Sequence, residues 1–170
     1  MDHALDQSLS SHIPPPFAIR TRTDNDAELE FRTYLESRDE LCAEVLSSEV
    51  HKNLLKMQHN IFQNGIETNF PEALHLIIQC ENIDVGRLIL DETAHELRVV
   101  DLSVMKAYRR RHIAHNILRA VIDYALSKTL PTTLSVSKSN QAALNLYRSI
   151  GFAITSENEI FLHMRCPSIS

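Results

Sequence analysis

The chain has little of what a covalently stapled or membrane-bound protein needs. Its three cysteines, Cys42, Cys80 and Cys166, are far apart, odd in number and without a C-x-x-C pair, so neither a disulfide framework nor a zinc site is indicated. Reduced, structural thiols are expected. The longest apolar runs, such as LHLII from Leu74 to Ile78, fall far short of the roughly 20 residues a membrane span needs. A basic-then-apolar leader is also missing, so the expectation is a cytoplasmic location with no membrane partner. Positive charge is not in excess either: 17 Lys and Arg stand against 22 Asp and Glu, a formal charge of −5. That balance argues against nucleic acid as a partner unless basic groups are concentrated locally. There are no internal repeats and no low-complexity segments in the core of the sequence.

What is present fits one folded unit. A chain of 170 residues buries about 70% of its unfolded surface, enough for one core without staples. Residues 1 to 16, MDHALDQSLSSHIPPP, end in a triple proline that cannot continue a helix, and a flexible tail is expected there, followed by a single domain over 17–170. FAIRTRT from Phe17 has the look of a first strand. Helical spacing follows at Leu29, Phe31, Tyr34, Leu35 and Leu41, with Asp24 or Asn25 as cap, and again from Val50 to Gln63, stopping near Asn64-Gly65. Strand patterns at Leu74 to Cys80 and Val85 to Leu90, separated by the polar ENID, suggest an antiparallel hairpin. Glu96 to Val104 is dense enough in aliphatics for a central strand covered on both faces. Apolar residues then recur at Ile113, Ile117, Leu118, Val121, Ile122 and Ala125, a long amphipathic helix before Pro131. Thr132 to Val136 is the next strand, and Phe152 to Thr155 with Ile160 to Met164 form a closing hairpin.

The segment SNQAALNLYRSIGF, Ser139 to Phe152, combines a helix start, an inward tyrosine and a helix stop. Ser139 or Asn140 can cap the free first amides, and Gly151 can take the left-handed conformation that ends the helix. Ala143, Leu146, Tyr147 and Ile150 share one face, so the Tyr147 hydroxyl points inward. Upstream, the strand ELRVVDLSV leads into KAYRRRHIAHN, whose Arg109, Arg110 and Arg111 are the one concentration of basic charge.

The order strand, basic turn, helix, strand, then N-x-x-A-x-x-L-Y-x-x-x-G-F resembles the GCN5-related N-acetyltransferase (GNAT) family over roughly residues 17 to 166. The resemblance implies an α/β fold: a mixed, mainly antiparallel twisted sheet of six or seven strands flanked by about four helices. The sheet is expected to splay where the central strand and its neighbour part. It also implies acetyl-CoA as cosubstrate, with no metal. In the family the basic turn reads R/Q-x-x-G-x-G/A and holds the pyrophosphate; the matching residues here are Arg109, His112 and Ala114. The pyrophosphate turn is thus Arg109, Arg110, Arg111, His112, Ile113 and Ala114, at the positive end of a helix, where an anion gains about 0.3–1 kcal/mol from the dipole. Histidine in place of the first glycine is a departure. It adds bulk, and the expectation is that the arginines and a partly protonated imidazole compensate by charge. His112 and His115 do not read as metal ligands, since no third ligand stands at a recognisable spacing.

Further roles follow from the resemblance. Ser103 and Val104 are expected to offer backbone groups to the pantetheine arm and the thioester oxygen, and Asn140 to lie beside that arm unless capping alone accounts for it. Tyr147 is the expected general acid for the departing sulfur. Asp101, on the central strand, is the candidate base or amine-orienting group, with a structural role as the alternative. The chemistry needs such help, because an ammonium of pKa about 10.4 is only about one part in a few thousand neutral at pH 7. Transfer to a primary amine of a small molecule, peptide or protein is the leading function. A degenerate acyl-CoA-binding or interaction module, and acetylation of aminoacylated transfer RNA through the RRRH cluster, are the alternatives. Oligomeric state is open, a homodimer included.

Overall fold

Seven strands make one sheet in the order β1-β2-β3-β4-β5-β7-β6 in the computed structural model, which describes residues 2–37 and 49–167. They are β1 (Phe17–Thr21), β2 (Leu74–Cys80), β3 (Ile83–Glu92), β4 (Leu97–Val104), β5 (Thr132–Ser137), β6 (Ala153–Glu157) and β7 (Phe161–Cys166). All neighbours are antiparallel except β4 and β5. Among the described residues five helices flank the sheet: α1 (Asp2–Ser10), α2 (Ala27–Glu36), α3 (Glu49–Asn69), α4 (Ile113–Ser127) and α5 (Gln141–Ile150). The mixed, mainly antiparallel architecture that the family resemblance implies is the one that forms.

Local signals account for most boundaries. Cys80 pairs with Ile83 across a two-residue loop, Glu81 and Asn82, whose φ values are 52° and 64°. Two positive φ values give the turn a twist that matches the strands it joins. Asn140 caps α5, its Oδ1 accepting the Ala143 N–H at 3.1 Å, and Gly151 ends the helix at φ 113°.

The two faces of the sheet differ in chemistry. Leu88 and Leu90 of β3 join Ile117, Leu118 and Val121 of α4 and Leu144 of α5 in the main core. Alternation turns Arg87, Ile89 and Asp91 to the other face, where α2 packs on β3 and β4. That face carries Arg20, His75, Arg87 and Asp101, so it is polar where the first is aliphatic.

Three expectations are changed. Residues 1–16, expected to be a tail, contain α1, which packs on β1 and α4; Leu9 and Ile13 are buried in the core, an apolar contribution too sparse to read from so polar a segment. The helix expected to stop near Asn64-Gly65 continues to Asn69. Burial of Ile66 outweighs the glycine, which costs a helix only about 1 kcal/mol. Before α2, Asp24–Asp26 form a single 3₁₀ turn, with Asp26 rather than Asp24 or Asn25 at the helix cap. The rest of that expected helix, with Leu41 and Cys42, lies outside the described residues. No helix among the described residues is long and apolar enough to cross a membrane.

Candidate active site

The sheet forks between β4 and β5. Their parallel pairing covers only Leu97 with Thr132, Arg98 with Thr133 and Val99 with Leu134. A bulge lies at the same level: Val99 pairs with Leu90 and Asp101 with Ile89, leaving Val100 as the extra residue. Beyond it, the β4 edge facing β5 is unpaired by strand. Met105 N–H donates to Val85 C=O at 2.8 Å across the opposite edge, and alternation then turns the backbone groups of Leu102 and Val104 into the fork. Of the two residues expected to offer backbone there, Val104 lies on the fork side with its carbonyl held by Arg109 Nε, and Ser103 lies on the β3 side. The Ser103 carbonyl faces β3, within clash range of any Cβ added at Gly86. The Ser103 hydroxyl is buried without a hydrogen-bond partner.

Past β4 the chain turns into α4 through two left-handed residues, Arg110 at φ 63° and His112 at φ 58°, ψ 16°. His112 therefore holds the backbone in the shape a glycine would take. Its side chain makes no capping bond, so the first amides of α4 stay without side-chain or intrahelical partners, at the positive end of the helix dipole. The three arginines diverge. Arg109 is spent inside the fold, Nε donating to Val104 C=O at 3.1 Å and a terminal nitrogen to Glu36 C=O at 2.5 Å. This latches the end of α2 to the end of β4, and Glu36 also accepts the Lys106 N–H. Arg111 stacks over the Tyr108 ring at 5.2 Å, while Arg110 is exposed. The His112 and His115 rings meet edge to face at 6.3 Å. Ile113 is buried and anchors the turn; Ala114 is half-buried beside it.

Tyr147 reaches the fork from α5, its ring packed edge-on against Phe152 at 5.9 Å. Burial, and then the negative charge of Asp101, push its hydroxyl up to about 12. The two residues singled out for catalysis are thus close enough to feel each other. They come from opposite faces of the sheet, Asp101 from β4 and Tyr147 from α5.

Asp101 is not a free base. Its Oδ2 accepts from Arg87 Nε at 3.0 Å and lies 2.9 Å from a terminal nitrogen of the same guanidinium, an ion pair. Arg87 is 2% exposed and also bonds Gln63 Oε1 at 3.0 Å, approaches Glu30 Oε1 at 3.9 Å and lies 5.6 Å from the Phe62 ring centroid. Glu30 in turn accepts from Arg22 Nε at 3.2 Å. A carboxylate whose oxygen is engaged by a buried guanidinium is positioned as an electrostatic anchor. The sequence reading missed Arg87, Glu30 and Gln63. The signal was there in part: a lone arginine inside the aliphatic run VGRLIL.

The Asn140 Oδ1 is committed to its cap. Among the described residues no group of three or more metal-ligating side chains is assembled.

These features define a class: an α/β protein whose sheet forks between two parallel strands, with free amides at the N-terminus of the helix that follows the fork. The model of the acetyltransferase (GNAT) family matches residues 57–152, more than half of the chain, and the chain belongs to that family. No curated protein matches it in sequence. Solved structures share the fold at low identity. The PaiA N-acetyltransferase of Thermoplasma acidophilum, in complex with coenzyme A, is 17% identical with a TM-score of 0.65, covering 89% of this chain and 98% of its own. A GNAT family acetyltransferase of Elizabethkingia anophelis with acetyl-CoA bound is 15% identical at 0.62, covering 91% and 99%. The ribosomal-protein-S18-alanine N-acetyltransferase of Escherichia coli is 20% identical at 0.60, covering 89% and 94%.

Proposed function

We propose that this chain transfers an acetyl group from acetyl-CoA to a primary amine. The observation that carries the reading is the fork: a β4 edge that β5 leaves open at Leu102 and Val104, with the Val104 carbonyl held by Arg109, runs from Asp101 toward the free amides of α4. An extended arm can add to that edge as a further strand does, with its phosphates at the helix N-terminus. The turn of Arg109 to Ala114 keeps a glycine-like path despite His112, which removes the main support for a degenerate binding module.

In the reaction the neutral amine attacks the thioester carbon, a C–N bond forms, the C–S bond breaks, and the thiolate must be stabilised as the amine sheds a proton. Asp101, held in place by Arg87, draws the acceptor ammonium to the fork, and the amine is desolvated there before it attacks. Tyr147 meets the sulfur. With its hydroxyl near 12 and a thiol near 8.5 as the reference, full proton transfer is uphill by about 5 kcal/mol. Its role is therefore to donate a hydrogen bond to the developing thiolate, a stabilisation that appears only as charge develops. Among the described residues the hydroxyl has no protein partner that competes.

The unit proposed for this chemistry is the domain of 17–170 together with α1 and the turn after it, whose Leu9 and Ile13 complete the core, and the composition supports a cytoplasmic setting. Coenzyme A release, followed with a thiol reagent over a panel of amines, is the test. Release that depends on an amine and falls in Tyr147→Phe supports the proposal; tight acetyl-CoA binding with no release from any amine would leave only a binding module.

A further inference from the structure

At the foot of the fork, on the polar face of the sheet, lies a cavity of about 230 Å³ lined by Glu96, Arg98, Thr133, Thr155, His163 and Arg165. Its polar atoms are unevenly satisfied. One terminal nitrogen of Arg98 donates to Ser135 Oγ at 2.8 Å, and Ser135 Oγ lies 2.8 Å from His163 Nδ1. The guanidinium also lies 5.6 Å from the Phe70 ring centroid. Yet Arg98 Nε and Thr133 Oγ1 are both buried with no hydrogen-bond partner. Arg98 and Thr133 are direct partners in the short β4–β5 ladder, so the two orphan groups stand side by side.

Buried polar groups are nearly always paired, and two left unpaired just behind a cavity wall mark a place where a ligand oxygen, seated with a small shift of the Arg98 and Thr133 side chains, supplies the missing partner. Nε–H can only donate and the threonine hydroxyl can donate, so the missing partner is an acceptor. Charge sharpens the choice. Arg165 pairs with Thr133 from β7 and adds a second guanidinium. Two acids oppose: Glu96 on the wall, and Asp91 in register with Arg98 on β3. Burial and then Glu96 push the Asp91 carboxyl up, toward its neutral form. A carboxylate satisfies both orphan groups at once, through an oxygen on each.

The Val100 bulge gives the cavity its meaning. Without the extra residue Arg98 and Asp101 would face opposite sides; with it both face the α2 side, about 10 Å apart along the strand. We infer that this cavity receives the carboxylate of the acceptor. The acetylated amine then belongs to a molecule carrying a carboxylate several bonds away, a class that rests on the acetyltransferase reading above. In the step itself the acetyl carbon exchanges sulfur for nitrogen, the amine proton leaves to solvent and the thiolate is released beside Tyr147; the carboxylate only holds the acceptor in place.

Two measurements test this. Acceptors would be compared in matched pairs, 6-aminohexanoate with its amide and triglycine with its C-terminal amide, the first pair for small molecules and the second for peptide termini. The carboxylate form in at least one pair is expected to show a KM lower by about tenfold or more, the effect of one hydrogen bond to a charged group, and Arg98→Gln should erase the difference. Equal KM in both pairs, or a preference that survives Arg98→Gln, overturns the inference while leaving acetyl transfer intact. If no amine is turned over, binding still decides: N-acetyl-6-aminohexanoate, but not its amide, is expected to shift the ring NMR signals of His163. Identical responses to the two refute the cavity assignment. Thr133→Val, which keeps shape and removes only the orphan hydroxyl, is the second variant should Arg98→Gln not fold, and weaker discrimination is expected from it.

Discussion

Replacing His112 by glycine tests how a side chain comes to stand where the family's turn has none. His112 sits at φ 58° and ψ 16°, a conformation that costs an L-residue roughly 1–2 kcal/mol. Glycine removes that cost and adds about 0.5–1 kcal/mol through its freer unfolded chain. The net is a gain of about 0.5–1 kcal/mol, a rise in Tm of roughly 1–4 °C for a chain of this size. His112→Ala is the needed comparison, because alanine keeps the backbone cost and loses the imidazole. Denaturant unfolding of the three proteins separates the terms: glycine should be more stable than histidine, and alanine less stable than glycine. Calorimetric titration with acetyl-CoA then reads the side chain alone. If the imidazole compensates by charge, both variants bind more weakly at low salt, by less than about fivefold for an exposed charge, and the difference vanishes at high salt. A glycine variant less stable than the parent refutes the reasoning, because the imidazole would then be held by contacts worth more than its backbone strain.

Other expectations are as specific. Tyr147→Phe should lower turnover at least tenfold, about 1.4 kcal/mol of transition-state stabilisation, with acetyl-CoA affinity nearly unchanged; an unchanged turnover makes the tyrosine structural. Because burial and Asp101 raise the Tyr147 hydroxyl to about 12, it stays protonated through pH 10, so an alkaline fall in turnover centred near 10 and absent from Tyr147→Phe would contradict the assignment. Arg87→Met strands Glu30 and Asp101 without their buried cation and should cost about 3–5 kcal/mol in denaturant unfolding. Gly86→Ala drives a methyl into the Ser103 carbonyl, and a loss of about 1–3 kcal/mol is expected, with weaker acetyl-CoA binding as the β4 edge shifts. Arg20 clamps Asp26 at 2.6 and 2.8 Å and holds its carboxyl well below the usual range. That stability is present above about pH 4 and lost as pH falls below it, so Asp26→Asn should flatten the acid limb of a pH-stability profile.

How much could be read in advance follows from where each signal resides. Asn140 and Gly151 act within a turn of the helix they bound, and the strands β2 and β4 announce themselves by their own aliphatic density. Such cues were legible to within a residue or two. α1 and the run-on of α3 were not, because Leu9 and Ile66 gain only from surfaces supplied by distant strands. At the site, Tyr147 and Asp101 carry the right residue types in the right order. Nothing in the chain tells that Asp101 is clamped by Arg87, or that the Arg109 side chain turns back to Val104 and Glu36 rather than outward.

By itself, then, the sequence determined the succession of strands and helices, the family, and the tyrosine that faces the fork, since each depends on spacing along the chain. The tertiary structure alone decided that Val104 and not Ser103 lies on the fork side, that one inserted residue at Val100 turns Arg98 to the same face as Asp101, and that a histidine takes a glycine's backbone shape. These turn on register and on φ, which a side chain's identity biases only weakly. They are set when packing of the whole sheet outweighs the kilocalorie or two that each local departure costs.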